Sequence, residues 1–345
     1  MQEDMNRLLG KTLEELQTIA VEVGLPRFAG KQLAEWIYTR RAISFDEMTN
    51  ISLKGREALK SNYTIGRHQP IAKAISQDGT KKYLFQVGEQ YVESVYLPEE
   101  DRATLCVSTQ AGCKMGCKFC MTGTLGFHGH LSAADILNQI FSIPDADKVT
   151  NIVFMGEGEP MDNLDNVLRS LEVMTSKWGC AWSPKRITVS SVGINKGLKR
   201  FIEECDCHLA ISLHNPFATE RQEIMPIEKV NHLKDVIALL KQYDWSHQRR
   251  VSFEYICWSG GNDTPKHANE LLRLLKGLDC RINLIRFHAG VDKSFTSSDE
   301  QQMERLRDYL TQHGITTTIR RSRGEDILAA CGMLVNSLKK EEKNL

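Results

Sequence analysis

Residues 103–120 read Ala-Thr-Leu-Cys-Val-Ser-Thr-Gln-Ala-Gly-Cys-Lys-Met-Gly-Cys-Lys-Phe-Cys. The apolar, β-branched run at 103–107 predicts a strand, and the glycines that follow it fit a tightly wound loop. The loop spaces Cys113, Cys117 and Cys120 as C-x3-C-x2-C, and three thiolates this close can bind three corners of a [4Fe-4S] cluster. A zinc site completed by a histidine such as His128 uses the same thiolate ligands. The spacing alone leaves both metal centres open.

Beyond residue 102, short β-branched runs alternate with amphipathic helical segments. The strand runs are 103–107, 151–155, 186–190, 208–213, 251–256, 281–287 and 316–319, and the helical segments include 133–141, 164–174, 233–242, 266–276 and 299–312. This alternation predicts an α/β fold in which helices cover a parallel sheet, as a partial (β/α)6-type barrel. Because ligand sites in such barrels lie at the carboxyl ends of the strands, the cysteine loop stands at the functional end.

The first hundred residues are organised differently. A capping box at Thr12 and Glu15 begins a predicted helix, and a second helix is predicted over 31–40. From 71 to 98 the hydrophobic period falls to two around a Gln77–Thr80 turn, which predicts a hairpin and a third strand. We therefore divide the chain into four parts: a helical accessory domain at 1–65, a small linking β-sheet at 66–101, the barrel with its C-terminal loop at 102–338, and a charged tail at 339–345.

The composition narrows the class of protein further. The chain has 345 residues, with 44 basic and 44 acidic side chains, and therefore no net charge that would indicate a bulk polycation. No run of eighteen apolar residues and no signal-peptide pattern occurs, so we expect a cytoplasmic protein with no membrane association. Ten cysteines in a reducing compartment are then ligands, reactive thiols or small core residues rather than structural disulfides.

Five further stretches accompany the cysteine motif. They are Arg102–Cys113, Phe154–Pro160, Ser212–His214, Asn283–His288 and Arg323–Gly332. Together, and in this order, they resemble the RlmN/Cfr family of RNA methyltransferases in the radical S-adenosylmethionine superfamily. The resemblance covers nearly the whole chain. It implies a radical S-adenosylmethionine barrel, one [4Fe-4S] cluster bound by Cys113, Cys117 and Cys120, and S-adenosylmethionine used twice per turnover.

The resemblance also implies the catalytic residues. Cys331 would carry the methyl group as S-methylcysteine, and hydrogen removal from that group would let its carbon add to adenine. Glu93 would accept the C2 proton. Cys106 would then attack the sulfur of Cys331 and release the RNA through a transient disulfide. The implied substrates are an adenosine in the peptidyl-transferase centre of 23S rRNA and the adenosine 3′ of the anticodon in tRNA.

Polar groups at the predicted strand ends are candidates for binding S-adenosylmethionine. They are Gly158, Glu159, Ser190, Ser212, Leu213, His214 and His288. Glu159 could equally cap the helix that follows Pro160. Two positions depart from the family: His288 stands where many relatives have Asn, and Glu157 replaces the usual Met of the Gly-x-Gly-Glu-Pro motif.

The implied partners are 23S rRNA, tRNA, an electron donor such as flavodoxin and a thiol reductant, with the protein acting as a monomer. Basic stretches without acidic residues at 102–134 and 178–200 fit RNA phosphates, and the domain at 1–65 would assist RNA binding. Two alternatives remain at this point. A Cfr-like enzyme would methylate C8 of the same rRNA adenosine, and a zinc-stabilised RNA-binding protein would have no activity.

Overall fold

The structure is a computed structural model that describes residues 6–246, 251–288 and 295–334. The predicted charged tail at 339–345 and the last four residues assigned to the barrel, 335–338, lie outside the described residues.

The N-terminal region is helical, as the sequence predicts. The capping box at Thr12 begins helix α1, Leu13–Glu22. The helix predicted over 31–40 is present as α2, Ala29–Ala34, which continues into a π-helical turn, Glu35–Thr39. The sequence analysis did not identify α3, Leu53–Asn62, which Ser52 caps. Its mostly polar composition explains why hydrophobic periodicity alone did not show it.

One ten-stranded sheet forms the centre of the molecule. Its strands, in their spatial order, are β1 (Ala72–Ile75), β2 (Lys81–Val87), β3 (Gln90–Pro98), β4 (Ala103–Cys106), β7 (Asn151–Phe154), β8 (Ile187–Ser191), β9 (His208–Ser212), β10 (Val251–Cys257), β11 (Arg281–Arg286) and β12 (Thr316–Arg320). A separate pair, β5 (Gln110–Gly112) and β6 (Phe127–His130), lies between β4 and β7 in the chain. Strands β4 and β7 to β12 are parallel, whereas β1 to β4 pair antiparallel.

Helices follow the parallel strands in sequence, which confirms the predicted fold class. They are α4 (Met121–Thr124), α5 (Ala133–Phe141), α6 (Leu164–Thr175), α7 (Asn195–Glu204), α8 (Ala218–Ile224), α9 (Leu233–Leu240), α10 (Pro265–Leu275) and α11 (Glu300–Gln312). Six strand–helix units and a seventh strand result, and among the described residues β12 pairs with β11 alone. The barrel is therefore partial, with β12 at its free edge.

The segment expected to form a small linking sheet is continuous with the barrel sheet. Strand β3 pairs antiparallel with β4, with Val95 opposite Cys106 and Pro98 opposite Ala103. This register places the strand that carries Glu93 directly beside the first strand of the barrel. The hairpin therefore contributes to the wall of the functional site.

The helical region also packs on the barrel. Buried residues of α1 and α2, including Leu16 and Leu33, belong to the same apolar cluster as barrel residues such as Leu105. A buried ion pair joins Arg7 Nη1 to Asp135 Oδ1 at 2.7 Å. Among the described residues, no helix has the length and apolar character needed to cross a membrane.

The Arg7–Asp135 pair provides a test of this packing. Asp135 also accepts hydrogen bonds from the Ser132 amide and hydroxyl, which cap α5. Asp135→Ala should therefore lower the free energy of unfolding by about 3 kcal/mol. The substitution removes the carboxylate that pairs with the buried Arg7 guanidinium, and it also removes a cap of α5. Arg7→Met should cost less, because Asp135 keeps its contacts with Ser132. Urea denaturation measures both, and equal losses would contradict this division of roles.

Candidate active site

The three cysteines of the C-x3-C-x2-C motif line one cavity at the carboxyl ends of the strands. Cys113 follows β5, Cys117 is buried, and Cys120 is the residue immediately before α4. Burial raises the pKa of the Cys113 thiol to about 12, and burial with the neighbouring Cys120 and Cys113 thiols raises the pKa of Cys117 well above its usual range. The three neighbouring thiols therefore stay protonated unless a positively charged group stabilises their thiolate forms.

Three thiols on one cavity wall fit the three cysteine-bound corners of an iron–sulfur cluster. Within the three described ranges, no group of three His, Cys, Asp or Glu side chains is placed to hold a metal ion. A cubane cluster instead binds each cysteine at a separate corner, so its ligands need not share one centre. His128, the residue considered for zinc, has its Nε2 atom 2.9 Å from the Leu125 carbonyl oxygen on the exposed side of the loop.

The cavity that contains the three cysteines is called the inner cavity. Its wall also includes Gly158, Glu159, Ser190, Ser212 and His214, which the sequence analysis proposed for S-adenosylmethionine. The structure therefore brings these five candidates together beside the cysteine loop.

The sequence left two roles open for Glu159, helix capping and cofactor binding, and its position is compatible with both. One carboxylate oxygen accepts the Met161 amide at 3.0 Å and caps the turn after Pro160, while the other accepts the Val192 amide at 2.9 Å. Burial raises the pKa of Glu159 to about 7, against the effect of these amides. A ligand ammonium group in the inner cavity would favour the ionised carboxylate.

His214 is held in a strained and specific position. It has a left-handed backbone with φ of 55°, which is uncommon for a side-chain-bearing residue. The Ile256 amide donates to its Nδ1 atom at 3.1 Å, and its ring packs edge-on against Phe119 at 4.6 Å between centroids. Burial lowers the pKa of His214 to about 3, so the imidazole is neutral.

Two of the proposed S-adenosylmethionine contacts lie apart from the inner cavity. The Leu213 side chain is fully buried in the barrel core, and its amide and carbonyl bond to Glu254 and Arg221 of the scaffold. His288 lies in a second cavity, where its Nε2 atom is 2.7 Å from the Ser322 hydroxyl. The structure thus does not bring either side chain to the other candidates.

The second cavity, called the outer cavity, has a volume of about 410 Å³. Its wall includes Cys106, His288 and residues of the segment 319–334. Cys331 lines both the inner and the outer cavity. Cys331 therefore shares the inner cavity with all three cysteines of the motif and the outer cavity with Cys106 and Cys120.

Hydrogen bonds hold the segment that carries Cys331 on both sides of this residue, although its polar sequence suggests a mobile loop. Before Cys331, Asp326 accepts the Ser76 hydroxyl at 2.6 Å, and Asp78 accepts the Gly324 amide at 3.0 Å. After it, the Gly332 carbonyl accepts the Met121 amide of α4 at 2.7 Å. Cys331 is thereby held over the start of the helix that follows Cys120.

The Arg320 guanidinium lies close enough to Cys106 to affect its thiol, and sequence reasoning missed this residue. Burial, with a contribution from the neighbouring Cys331 thiol, raises the pKa of Cys106 to about 12, while the Arg320 guanidinium acts in the opposite direction. Arg320 bonds to Glu254 at 3.3 Å and lines both cavities. Arg320 directly follows the strand predicted over 316–319, and this position at the carboxyl end of a barrel strand was the available signal.

Glu93 lies within the sheet rather than at an edge, because β3 has neighbours on both sides. Its side chain is fully buried and pairs with the equally buried Lys82, Nζ to Oε1, at 3.0 Å. Lys82 also reaches the Leu328 carbonyl of the Cys331 segment at 3.4 Å. A buried carboxylate with one cation is suited to accepting a proton close to that segment.

Comparisons with known proteins agree with this geometry. Residues 107–275 match the radical SAM superfamily, and residues 6–65 match the ribosomal RNA large subunit methyltransferase N-terminal domain. A probable dual-specificity RNA methyltransferase RlmN from Bacteroides thetaiotaomicron is 58% identical over 338 residues, which are 98% of each chain. The dual-specificity RNA methyltransferase RlmN of Geobacter sulfurreducens is 39% identical and covers 95% of this chain and 92% of its own. The crystal structure of a radical SAM methyltransferase from Sphaerobacter thermophilus superposes with a TM-score of 0.89 at 34% identity, over 95% of this chain and 98% of that one.

The position of Glu159 predicts a role in cofactor affinity. Glu159→Gln should weaken binding of S-adenosylmethionine about tenfold, because the amide has no charge for the ligand ammonium and one acceptor fewer for the Met161 and Val192 amides. Equilibrium dialysis with the cluster-loaded protein measures the change. Glu172→Gln, on the exposed face of α6, is the matched control. Unchanged affinity in a folded Glu159→Gln protein would remove Glu159 from the binding site.

Proposed function

The chain belongs to the RlmN family of dual-specificity RNA methyltransferases in the radical SAM superfamily, and from this membership we propose that it methylates C2 of adenosine in two RNAs. The substrates are an adenosine in the peptidyl-transferase centre of 23S rRNA and the adenosine 3′ of the anticodon in tRNA. The observation that carries this proposal is the position of Cys331 on the shared wall of the inner and outer cavities.

The cofactors of this superfamily are a [4Fe-4S] cluster and S-adenosylmethionine, which together supply one-electron chemistry and the methyl group. Cys113, Cys117 and Cys120 are the proposed cluster ligands. Gly158, Glu159, Ser190, Ser212 and His214 are the proposed contacts of S-adenosylmethionine, because all five line the same cavity as the cysteines. The side chains of His288 and Leu213 lie outside that cavity.

The protein side chains divide the remaining work among three positions. Cys331 carries the methyl group; after one hydrogen atom has been removed from that group, its carbon bonds to C2 of the adenine, and the surplus electron of the adduct would leave through the one-electron chemistry that the cluster supplies. Glu93 takes the C2 proton from the resulting adduct. Cys106 attacks the sulfur of Cys331, so that an S–S bond forms as the S–C bond breaks; the released carbon takes up a proton, and the methylated base leaves. A thiol reductant then returns both cysteines to their reduced state.

The charge of the outer cavity favours RNA as the substrate. Among the described residues, five arginines and a single carboxylate, Glu99, line it; the arginines are Arg102, Arg286, Arg320, Arg321 and Arg323. Arg102, Arg286, Arg320 and Arg323 each also pair with a carboxylate. Guanidinium groups in such a wall can exchange these partners for the backbone phosphates around an adenine that has been turned out of its loop.

The remaining partners are proposed on the family resemblance. The protein acts as a monomer in the cytoplasm, with an electron donor such as flavodoxin. The domain at 1–65 contributes to RNA binding, in agreement with its match to a ribosomal RNA methyltransferase N-terminal domain.

Mass spectrometry of nucleosides tests the regiochemistry. Ribosomal RNA from a strain that lacks the gene should contain no 2-methyladenosine, and complementation with the gene should restore it. Complementation with Cys331→Ala should not, because the methyl carrier is absent. Formation of 8-methyladenosine as the sole product would instead establish the Cfr-like alternative. Restoration of 2-methyladenosine by Cys331→Ala would overturn the proposed path through this cysteine.

A further inference from the structure

Side chains, rather than main-chain groups of β4, form hydrogen bonds with the main chain of Glu93. The β3–β4 register, Val95 opposite Cys106, would place Ser108 opposite Glu93 if the pairing continued. The pairing stops, and the Ser108 hydroxyl donates to the Glu93 carbonyl at 2.6 Å instead. On its other side, the Glu93 amide donates to Glu157 Oε1 at 2.8 Å. Two side chains therefore fix both main-chain polar groups of Glu93.

The same Glu157 carboxylate also reaches the cysteine loop. Its second oxygen, Oε2, accepts the Gly112 amide at 3.3 Å, one residue before Cys113. The main chain of Glu157 is itself anchored: its amide donates to the Ser108 hydroxyl at 2.8 Å, and its carbonyl accepts the Thr109 amide at 2.8 Å. One side chain thus joins the strand of Glu93 to the loop of the three cysteines.

We propose that Glu157 is a positioning residue, whose carboxylate holds Glu93 at a fixed place relative to the cluster loop by accepting the Glu93 and Gly112 amides together. The proposal rests on the proposed role of Glu93 as the proton acceptor. It assigns a function to a carboxylate that stands where the family motif usually has Met, a side chain that cannot accept these two hydrogen bonds with comparable strength.

The cost of burying this group supports a specific role. Glu157 is 1% exposed, and burial raises its pKa to about 8, with the Glu93 carboxylate adding to that effect. The Glu93 and Gly112 amides and the Lys82 ammonium group oppose it. An apolar side chain of similar size would avoid this desolvation penalty. Unlike an apolar side chain, the Glu157 carboxylate accepts one hydrogen bond from the Glu93 amide and one from the Gly112 amide.

Three variants test the hydrogen bonds that hold the main chain of Glu93. Glu157→Met keeps the volume of the side chain and removes both acceptors. Glu157→Gln keeps a single carbonyl oxygen and can satisfy only one of the two amides. Ser108→Ala releases both the Glu93 carbonyl and the Glu157 amide, and it keeps the Glu157 carboxylate with its two acceptor oxygens. Asp263→Asn is the matched control, because this buried carboxylate likewise accepts a main-chain amide and a serine hydroxyl, from Gly260 and Ser298, in another part of the barrel.

The readout is the partition of RNA between covalent protein–RNA adduct and released methylated product. A displaced Glu93 removes the proton slowly, so the adduct should persist. Glu157→Met should raise the ratio of adduct to released product about tenfold, because displacement of a catalytic group by a fraction of an ångström costs that much. Glu157→Gln and Ser108→Ala should raise it less, and Asp263→Asn should not. Formation of 5′-deoxyadenosine and the iron content should stay close to those of the unaltered protein.

Glu93→Gln serves as the reference, and its result separates the two levels of the proposal. If Glu93→Gln accumulates adduct while the Glu157 variants and Ser108→Ala partition like the unaltered protein, Glu157 has no positioning role. If Glu93→Gln does not accumulate adduct, the assignment of Glu93 itself is wrong. If Glu157→Met loses iron, Glu157→Gln decides the question, because it keeps the volume of the side chain and one acceptor, and an unchanged ratio in that iron-loaded variant contradicts the proposal.

Discussion

The hydrogen bond from the Met121 amide to the Gly332 carbonyl, 2.7 Å long, joins two parts of the chain that are far apart in sequence. Met121 directly follows the third cysteine of the loop above the first barrel strand, and Gly332 directly follows Cys331 beyond the last one. A second bond, from the Thr122 hydroxyl to the Leu334 carbonyl at 3.0 Å, supports the first. Because of these contacts, Cys331 lies between the cavity of the cluster loop and the cavity of Cys106. The proposed transfer of a methyl group from cofactor to RNA depends on this position.

The contact between Met121 and Gly332 is possible because the barrel is partial. In an open arrangement of parallel strands, the first and last strands flank a gap, and the functional loops rise from the same end. Strand β4 supplies Cys106, and the segment after β12 supplies Cys331. The antiparallel extension adds β3 beside β4, which brings the buried Glu93 to the same region. The hairpin turn also anchors the Cys331 segment through Asp78, so the extension that looked like a linker forms part of the site.

The sequence predicted those features that depend on hydrophobic periodicity or on the spacing of residues. Helix α5 has the predicted bounds, Ala133–Phe141, because its apolar stripe is strong and Ser132 caps it. The cysteine loop was found from its spacing alone. The sequence could not show the Arg320–Glu254 pair, whose members are 66 residues apart and meet only because β10 and β12 flank the same strand. Likewise, nothing local distinguishes Leu213, which points into the core, from the cavity-lining His214 beside it.

The central claim is that the methyl carbon passes through the sulfur of Cys331 before it reaches the RNA. Peptide mapping of the Cys106→Ala protein after reaction with substrate RNA tests it most directly, because this variant lacks the thiol that would release the base. The account predicts a covalent adduct in which one carbon atom joins the sulfur of Cys331 to the target adenine. A freely released methylated RNA with no adduct, or an adduct attached to any other residue, would contradict it.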